Sequence, residues 1–320
     1  MKRALLVLPV VGALALSACG GGSSDSDAGS QGGASGSKTL PVTAAFYPLA
    51  YAVERVGGDH VTVSSLTKPG AEPHDVELTP KDVASLGSSS LVVYEKGFQP
   101  AVDDAVKQVD AARAIDISTA VDLTIKATED GHEHEAEGEE HADEETPGVD
   151  PHFWLDPTRY ASAVKAISTK LGEVDQANAA AYAKNADTFV AELTALDAEF
   201  TAGLKTCTNR DLVTGHAAFA YLADRYDLHQ EGISGLSPDA EPDAAAMKEV
   251  IEHVKEHKVS TVYAETLVSK DLTETIARDT GAAVAVLDPI EGLTDASAGK
   301  NYLEVMRSNL ATLKKGQGCT

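Results

Sequence analysis

Four side chains on widely separated segments have the types that grip a divalent cation: His74, His152, His216 and Asp288. Neutral imidazole offers a borderline nitrogen donor and carboxylate a hard oxygen. Three of the first and one of the second match the preferred ligand set of a tetrahedral zinc site. Singly, each is weak evidence. A histidine beside proline in a loop caps or hydrogen-bonds more often than it ligates, and an aspartate before a proline commonly shapes a turn. Their shared placement joins them, because each sits where a strand pattern hands over to a loop. In open parallel α/β sheets, ligands bind beyond the carboxyl ends of the strands. All four can therefore face one cleft, and a site drawing on both halves of the chain would clamp those halves together.

The elements that must position them follow an α/β rhythm. Leu40–Phe46, His60–Leu66, Leu91–Tyr94 and Ala114–Ile117 read as strands. Thr79-Pro80-Lys81-Asp82 starts a helix, with Thr as N-cap, Pro at N1 and an acid in the first turn. Residues 101–109 are helical. Asp156-Pro157 is a second cap-and-proline start, for a helix to about Leu171. From Asn178 to Leu204 an alanine-rich run carries Phe189, Leu193, Leu196 and Phe200 near a 3.6-residue period. At 1.5 Å per residue it is about 40 Å long. Strands then recur at 211–214, 228–233, 260–264 and 283–287, with helices at 217–226, 243–256, 270–280 and 299–314 between and after them. Two similar α/β lobes, each with a parallel sheet flanked by helices, are expected to be joined by the long helix.

The first residues read as a targeting segment rather than fold. Lys2 and Arg3 precede an apolar stretch, Ala4–Leu16, too short to span a bilayer. Leu16-Ser17-Ala18-Cys19 resembles a bacterial lipoprotein signal, which makes Cys19 the lipidation site. Gly20–Ser37 is a Gly/Ser-rich tether with a reach of roughly 25 Å. Of three cysteines, Cys207 and Cys319 are then left as a pair, which in an exported protein reads as a disulfide. The expected organisation is a leader at 1–18, lipidated Cys and tether at 19–38, a first lobe at 39–156, interlobe helices at 157–206, and a second lobe at 207–320.

A net charge of −24 disfavours nucleic acid and anionic lipid surfaces as partners. Part of that charge is local: Glu129–Glu145 holds ten acidic residues, three histidines (His132, His134, His141) and no base. Within the loop at 129–147, a composition this polar cannot build a core. It serves either as an auxiliary metal-concentrating loop or as a solvated insertion. One further metal-like motif is His253-Val254-Lys255-Glu256-His257, the HxxEH spacing of inverted zinc proteases. Met247, Val250, Ile251 and Val254 form the apolar face of that helix, and His253 and Glu256 fall off it. The motif therefore reads as surface histidines on a charged helix.

Pro73-His74-Asp75 with Thr79-Pro80, Asp150-Pro151-His152-Phe153-Trp154-Leu155-Asp156-Pro157, His216-Ala217-Ala218-Phe219-Ala220-Tyr221 and Leu287-Asp288-Pro289-Ile290 together resemble the solute-binding lipoproteins of zinc and manganese ABC transporters, the ZnuA-like and TroA-like cluster. That resemblance spans about residues 40–315. It implies two lobes on a rigid helix with metal buried between them, ligated by His74, His152, His216 and Asp288. Glu265 matches an acidic position near the family's site, as an outer partner or alternative ligand. Manganese members place Glu where this chain has His216, so nitrogen favours zinc here; manganese or iron is the alternative within the family.

The implied role is a non-enzymatic, monomeric receptor on the outer face of the cell membrane. It would capture Zn2+ and hand it to a membrane permease with its ATPase. A surface adhesin and a zinc hydrolase are the readings from other classes. Imidazole ligands predict affinity falling below roughly pH 6.

Overall fold

The computed structural model describes residues 39–126 and 148–320. Cys19, the tether and the loop histidines His132, His134 and His141 lie outside the described residues.

Two four-stranded parallel sheets carry the chain. The first comprises β1 (Leu40–Ala44), β2 (Val61–Ser65), β3 (Leu91–Tyr94) and β4 (Ala114–Asp116), in the order β2-β1-β3-β4. The second comprises β5 (Asp211–His216), β6 (His229–Ser234), β7 (Thr261–Ala264) and β8 (Ala283–Val286), in the order β6-β5-β7-β8. The two sheets thus share one topology. In each, the chain steps to one side of its first strand and then returns to the other. That reversal leaves a crevice at the carboxyl ends of the two central strands.

Nine α-helices are described: α1 (Tyr47–Gly57), α2 (Pro80–Ser88), α3 (Pro100–Val106), α4 (Pro157–Val174), α5 (Ala179–Leu204), α6 (Ala220–Tyr226), α7 (Ala244–Glu256), α8 (Asp271–Thr280) and α9 (Tyr302–Gly316). Their starts follow the local chemistry. Thr79 and Asp82 close a reciprocal capping box, Asp156 accepts from Thr158 N ahead of Pro157, and Asp243 accepts from Ala245 N and Ala246 N. Helix α1 was not expected from the sequence, although Pro48 sits in its first turn. The last helix begins at Tyr302 rather than near 299, because Asn301 accepts from Glu304 N and sets the boundary there.

The 26-residue α5 is the common support. Its buried stripe, Tyr182, Ala186, Phe189, Leu193, Leu196, Phe200 and Leu204, recurs every three or four residues. It packs on α1 and α4 at one end and on α6 and α9 toward the other. Gly203 permits the second contact, since a Cβ there would come within 3.0 Å of Leu310. One apolar cluster runs through both sheets, with Phe46, Trp154, Tyr160, Phe189 and Tyr302 wholly buried. No helix among the described residues is long and apolar enough to cross a membrane. The expected bond between Cys207 and Cys319 is present.

Candidate metal centre

His74 lies beyond β2 in a loop held from behind by buried Gln99, whose Nε2 donates to Pro73 O at 2.8 Å and to Thr67 Oγ1 at 3.0 Å. Its ring meets Phe98 edge-on, centroids 4.6 Å apart. Glu72, two residues before it, turns inward to accept from His74 N at 2.8 Å. That carboxylate stays 3.9 Å from His74 Nε2, so it shapes the loop rather than meeting the ring.

His152 opens a short 3-10 turn, Phe153–Leu155, just ahead of α4. Asp150 Oδ1 accepts from its backbone N at 2.7 Å and from its Nδ1 at 2.9 Å. The neighbouring Trp154 donates from Nε1 to Pro289 O at 2.8 Å, linking this segment to the loop after β8.

His216 is the last residue of β5. Glu265, just past β7, treats it as Asp150 treats His152: one oxygen accepts from His216 N at 2.7 Å and the other from Nδ1 at 2.6 Å. Gly215 makes this possible, because a Cβ there would lie 2.6 Å from Glu265 Oε1. The pair sits at the ends of the two central strands, where the second sheet reverses direction.

With Nδ1–H donated outward to a carboxylate, His152 and His216 aim Nε2 inward, where its lone pair becomes available to a metal once its proton has left. There the structure gathers His74, His152, His216 and Glu291, their donor atoms all within 4.8 Å of one another. Glu291 Oε1 is 3.1 Å from His74 Nε2, 3.1 Å from His152 Nε2 and 3.3 Å from His216 Nε2, and the first two nitrogens are 3.3 Å apart. A tetrahedron with metal–ligand bonds of about 2.0–2.1 Å has edges of about 3.3 Å. Four of the six donor separations therefore stand near the edge length of a four-coordinate zinc ion, and all six are within 4.8 Å. His152, His216 and Glu291 are buried and His74 is nearly so, which suits a site closed to water.

Asp288, expected as the fourth ligand, stands apart from this group. Its Oδ1 accepts from Ile290 N at 2.8 Å, and its backbone N and O are both held by the amide of Asn309 on α9, at 3.0 and 2.7 Å. The aspartate therefore builds a turn. Ile290 follows at φ 60°, a left-handed conformation rare for a β-branched residue, and the chain emerges with Glu291 aimed at the three imidazoles. Sequence reasoning missed Glu291. The available signal was a second carboxylate three positions on, ahead of Gly292.

Electrostatics tie the group together. Burial alone would lower the His216 pKa, but Glu265 and Glu291 outweigh it and hold the imidazole well above its usual range. For His152 burial is likewise overcome, by Asp150 and Glu291, and the net shift is upward. Burial would raise Glu291, yet the charge on His216 and hydrogen bonds from all three imidazoles keep it well below the usual carboxylate range. Burial beside Glu291 pushes Asp288 up.

The sequence pattern of the family described as "Zinc-uptake complex component A periplasmic" matches residues 42–316. The chain is 35% identical over 322 residues to the zinc-binding lipoprotein AdcA of Streptococcus pneumoniae serotype 4, covering 98% of this chain and 61% of that protein. It thus spans less than two thirds of that relative's length. It is 34% identical over 306 residues to the high-affinity zinc uptake system protein ZnuA of Bacillus subtilis, covering 94% and 93% of the two chains. Among solved structures, the laminin-binding protein Lmb of Streptococcus agalactiae superposes with a TM-score of 0.75 at 31% identity, over 88% of this chain and all of that one. The Zn(II)-bound ZnuA-like domain of the pneumococcal AdcA gives 0.71 at 34% identity, over 88% and 99%.

Proposed function

From the premise that this chain belongs to the family of zinc-uptake complex component A, we propose that it is an extracytoplasmic zinc receptor of an ABC importer. The four convergent donor atoms carry this reading: three imidazole nitrogens and one carboxylate oxygen, with four of their six separations near the edge length of a zinc tetrahedron. His74, His152, His216 and Glu291 hold the ion, which is cargo rather than a resident cofactor. Asp150 and Glu265 orient two of the imidazoles. Asp288 builds the turn that delivers Glu291 and does not itself ligate.

The four ligands come from both lobes, with residues 39–156 and 207–320 as the lobes and 157–206 as the helical support between them. Three nitrogens among four donors favour zinc over manganese, which prefers oxygen. A fourth protein donor closes the position that a hydrolytic zinc site keeps open for water, so the protein is a receptor and not an enzyme. Cys19 anchors it by a lipid to the outer face of the cell membrane, and a permease with its ATPase receives the ion from the monomeric protein.

The test is growth of a bacterium lacking its own zinc receptor in chelator-limited medium, expressing this protein or its His216→Ala variant. Rescue by the first alone is expected. Equal rescue by the variant would defeat the reading.

A further inference from the structure

We infer that Asp211, His253 and His257 form a second binding site, for a borderline divalent transition-metal ion of the zinc or copper(II) kind, at the end of β5 remote from His216. The HxxEH spacing places His253 and His257 four residues apart at the end of α7, so both imidazoles leave the same side of the helix. Their rings lie 4.2 Å apart and 12° from parallel. Asp211 opens β5 directly opposite them. Its Oδ1 is 3.7 Å from His253 Nε2 and its Oδ2 is 3.4 Å from His257 Nδ1. All three ligand atoms fall within 4.8 Å of one another.

The carboxylate stands on a fixed base. Asp211 N donates to Asn209 Oδ1 at 2.7 Å, and Asp211 O accepts from Gln317 Nε2 at 2.9 Å. His257 is half exposed, so its ring can turn out of the stack with His253, which brings the two in-plane nitrogen lone pairs from parallel to convergent on one ion beside Asp211. Two imidazoles and one carboxylate select zinc or copper over calcium and magnesium, and three protein ligands leave a coordination position for water. In the parallel ladder Asp211 is paired with His229, which places a further imidazole beside the group on the same face of the sheet.

The buried centre cannot share its ion with this one. Asp211 and His216 are the two ends of β5, about 16 Å apart along the strand. The shallower group should bind after the buried centre has filled.

The test is equilibrium dialysis of the protein against zinc ion alone, comparing it with His257→Ala and His216→Ala, while histidine ring resonances are followed by NMR. His257→Ala should lose one of the weaker equivalents, or weaken it at least tenfold, and leave the tight equivalent unchanged. His216→Ala should do the reverse. Any contribution from the loop histidines is common to all three proteins and drops out of the difference. The His253 and His257 ring signals should shift as the weak equivalent binds. Identical weak-phase binding in the protein and His257→Ala, or ring signals that respond to pH and not to zinc, would overturn the second site without touching the first.

Discussion

Two imidazoles in this protein are each held twice by one carboxylate, once through the backbone N–H and once through Nδ1. That double grip fixes both the tautomer and the ring direction, and outer partners of this kind typically contribute 10–100-fold to metal affinity. Glu265→Gln should therefore weaken zinc binding by about 10–100-fold with little change in melting temperature. Gly215→Ala should act in the same direction, because its Cβ would displace Glu265 Oε1, 2.6 Å away. Unchanged affinity in both variants would show that Glu265 does not orient His216. The same carboxylates set the pH behaviour. His152 and His216 have raised folded-state pKa values. Their protonated pairs stabilise the metal-free protein fully below about pH 6.5, and that contribution is lost as pH rises through the folded values. Glu291, held low, contributes above its ordinary range and loses that contribution as pH falls through its depressed value. Zinc competes with the histidine protons, so affinity begins to fall above pH 6.5 on acidification, not near pH 6 as unperturbed imidazoles predict. Calorimetry at pH 7 in buffers of different ionisation enthalpy should register proton release on zinc binding. No release would contradict the raised imidazoles.

The turn after β8 shows what an element contributes that its residues alone do not. Ile290 at φ 60° costs about 1–3 kcal/mol of local strain, and the clamp of Asn309 on the Asp288 backbone opposes its relaxation. Asn309→Ala removes both buried hydrogen bonds. It should lower stability by about 1–3 kcal/mol in denaturant titration and also weaken zinc binding, although Asn309 has no donor in the metal group. A stability loss with full zinc affinity would mean that the turn does not position Glu291. This turn is also where the sequence was least legible. His152 has no strand beside it and was readable from the Asp150–Pro157 segment that leads into α4. His74 and His216 were readable because strand patterns ended before them, and strand ends in a parallel sheet share one rim. Asp288 met the same criterion. A left-handed isoleucine between it and Glu291 is a tertiary outcome that residue preferences argue against, so the rim position and the donor parted by three residues. Helix α1 was missed for a milder reason: its start has no side-chain cap, leaving only Pro48 as the signal. The long helix, in contrast, was plain from its apolar period and was located within one residue at its start.

For the molecule as a whole, one long helix supports helices that flank both sheets, and in the proposed reading the ion would join the two halves. The disulfide fastens the chain just after α5 to the C-terminus, closing a separation of 112 residues. Replacing both cysteines by serine should cost about 5 kcal/mol in the chain-entropy account and leave zinc affinity within about twofold, since neither cysteine meets the metal group. A large affinity loss would show that the bond also sets the cleft. The central claim is that three imidazoles and Glu291, not Asp288, bind zinc in preference to manganese. The most direct test is competition against a calibrated chelator, read through Trp154, the single tryptophan, whose ring centre lies 5.2 Å from that of His152. One tight zinc site is expected, poorly displaced by manganese, much weakened in Glu291→Gln and far less in Asp288→Asn. Retention of full affinity by Glu291→Gln, or manganese binding as tightly as zinc, would contradict the account.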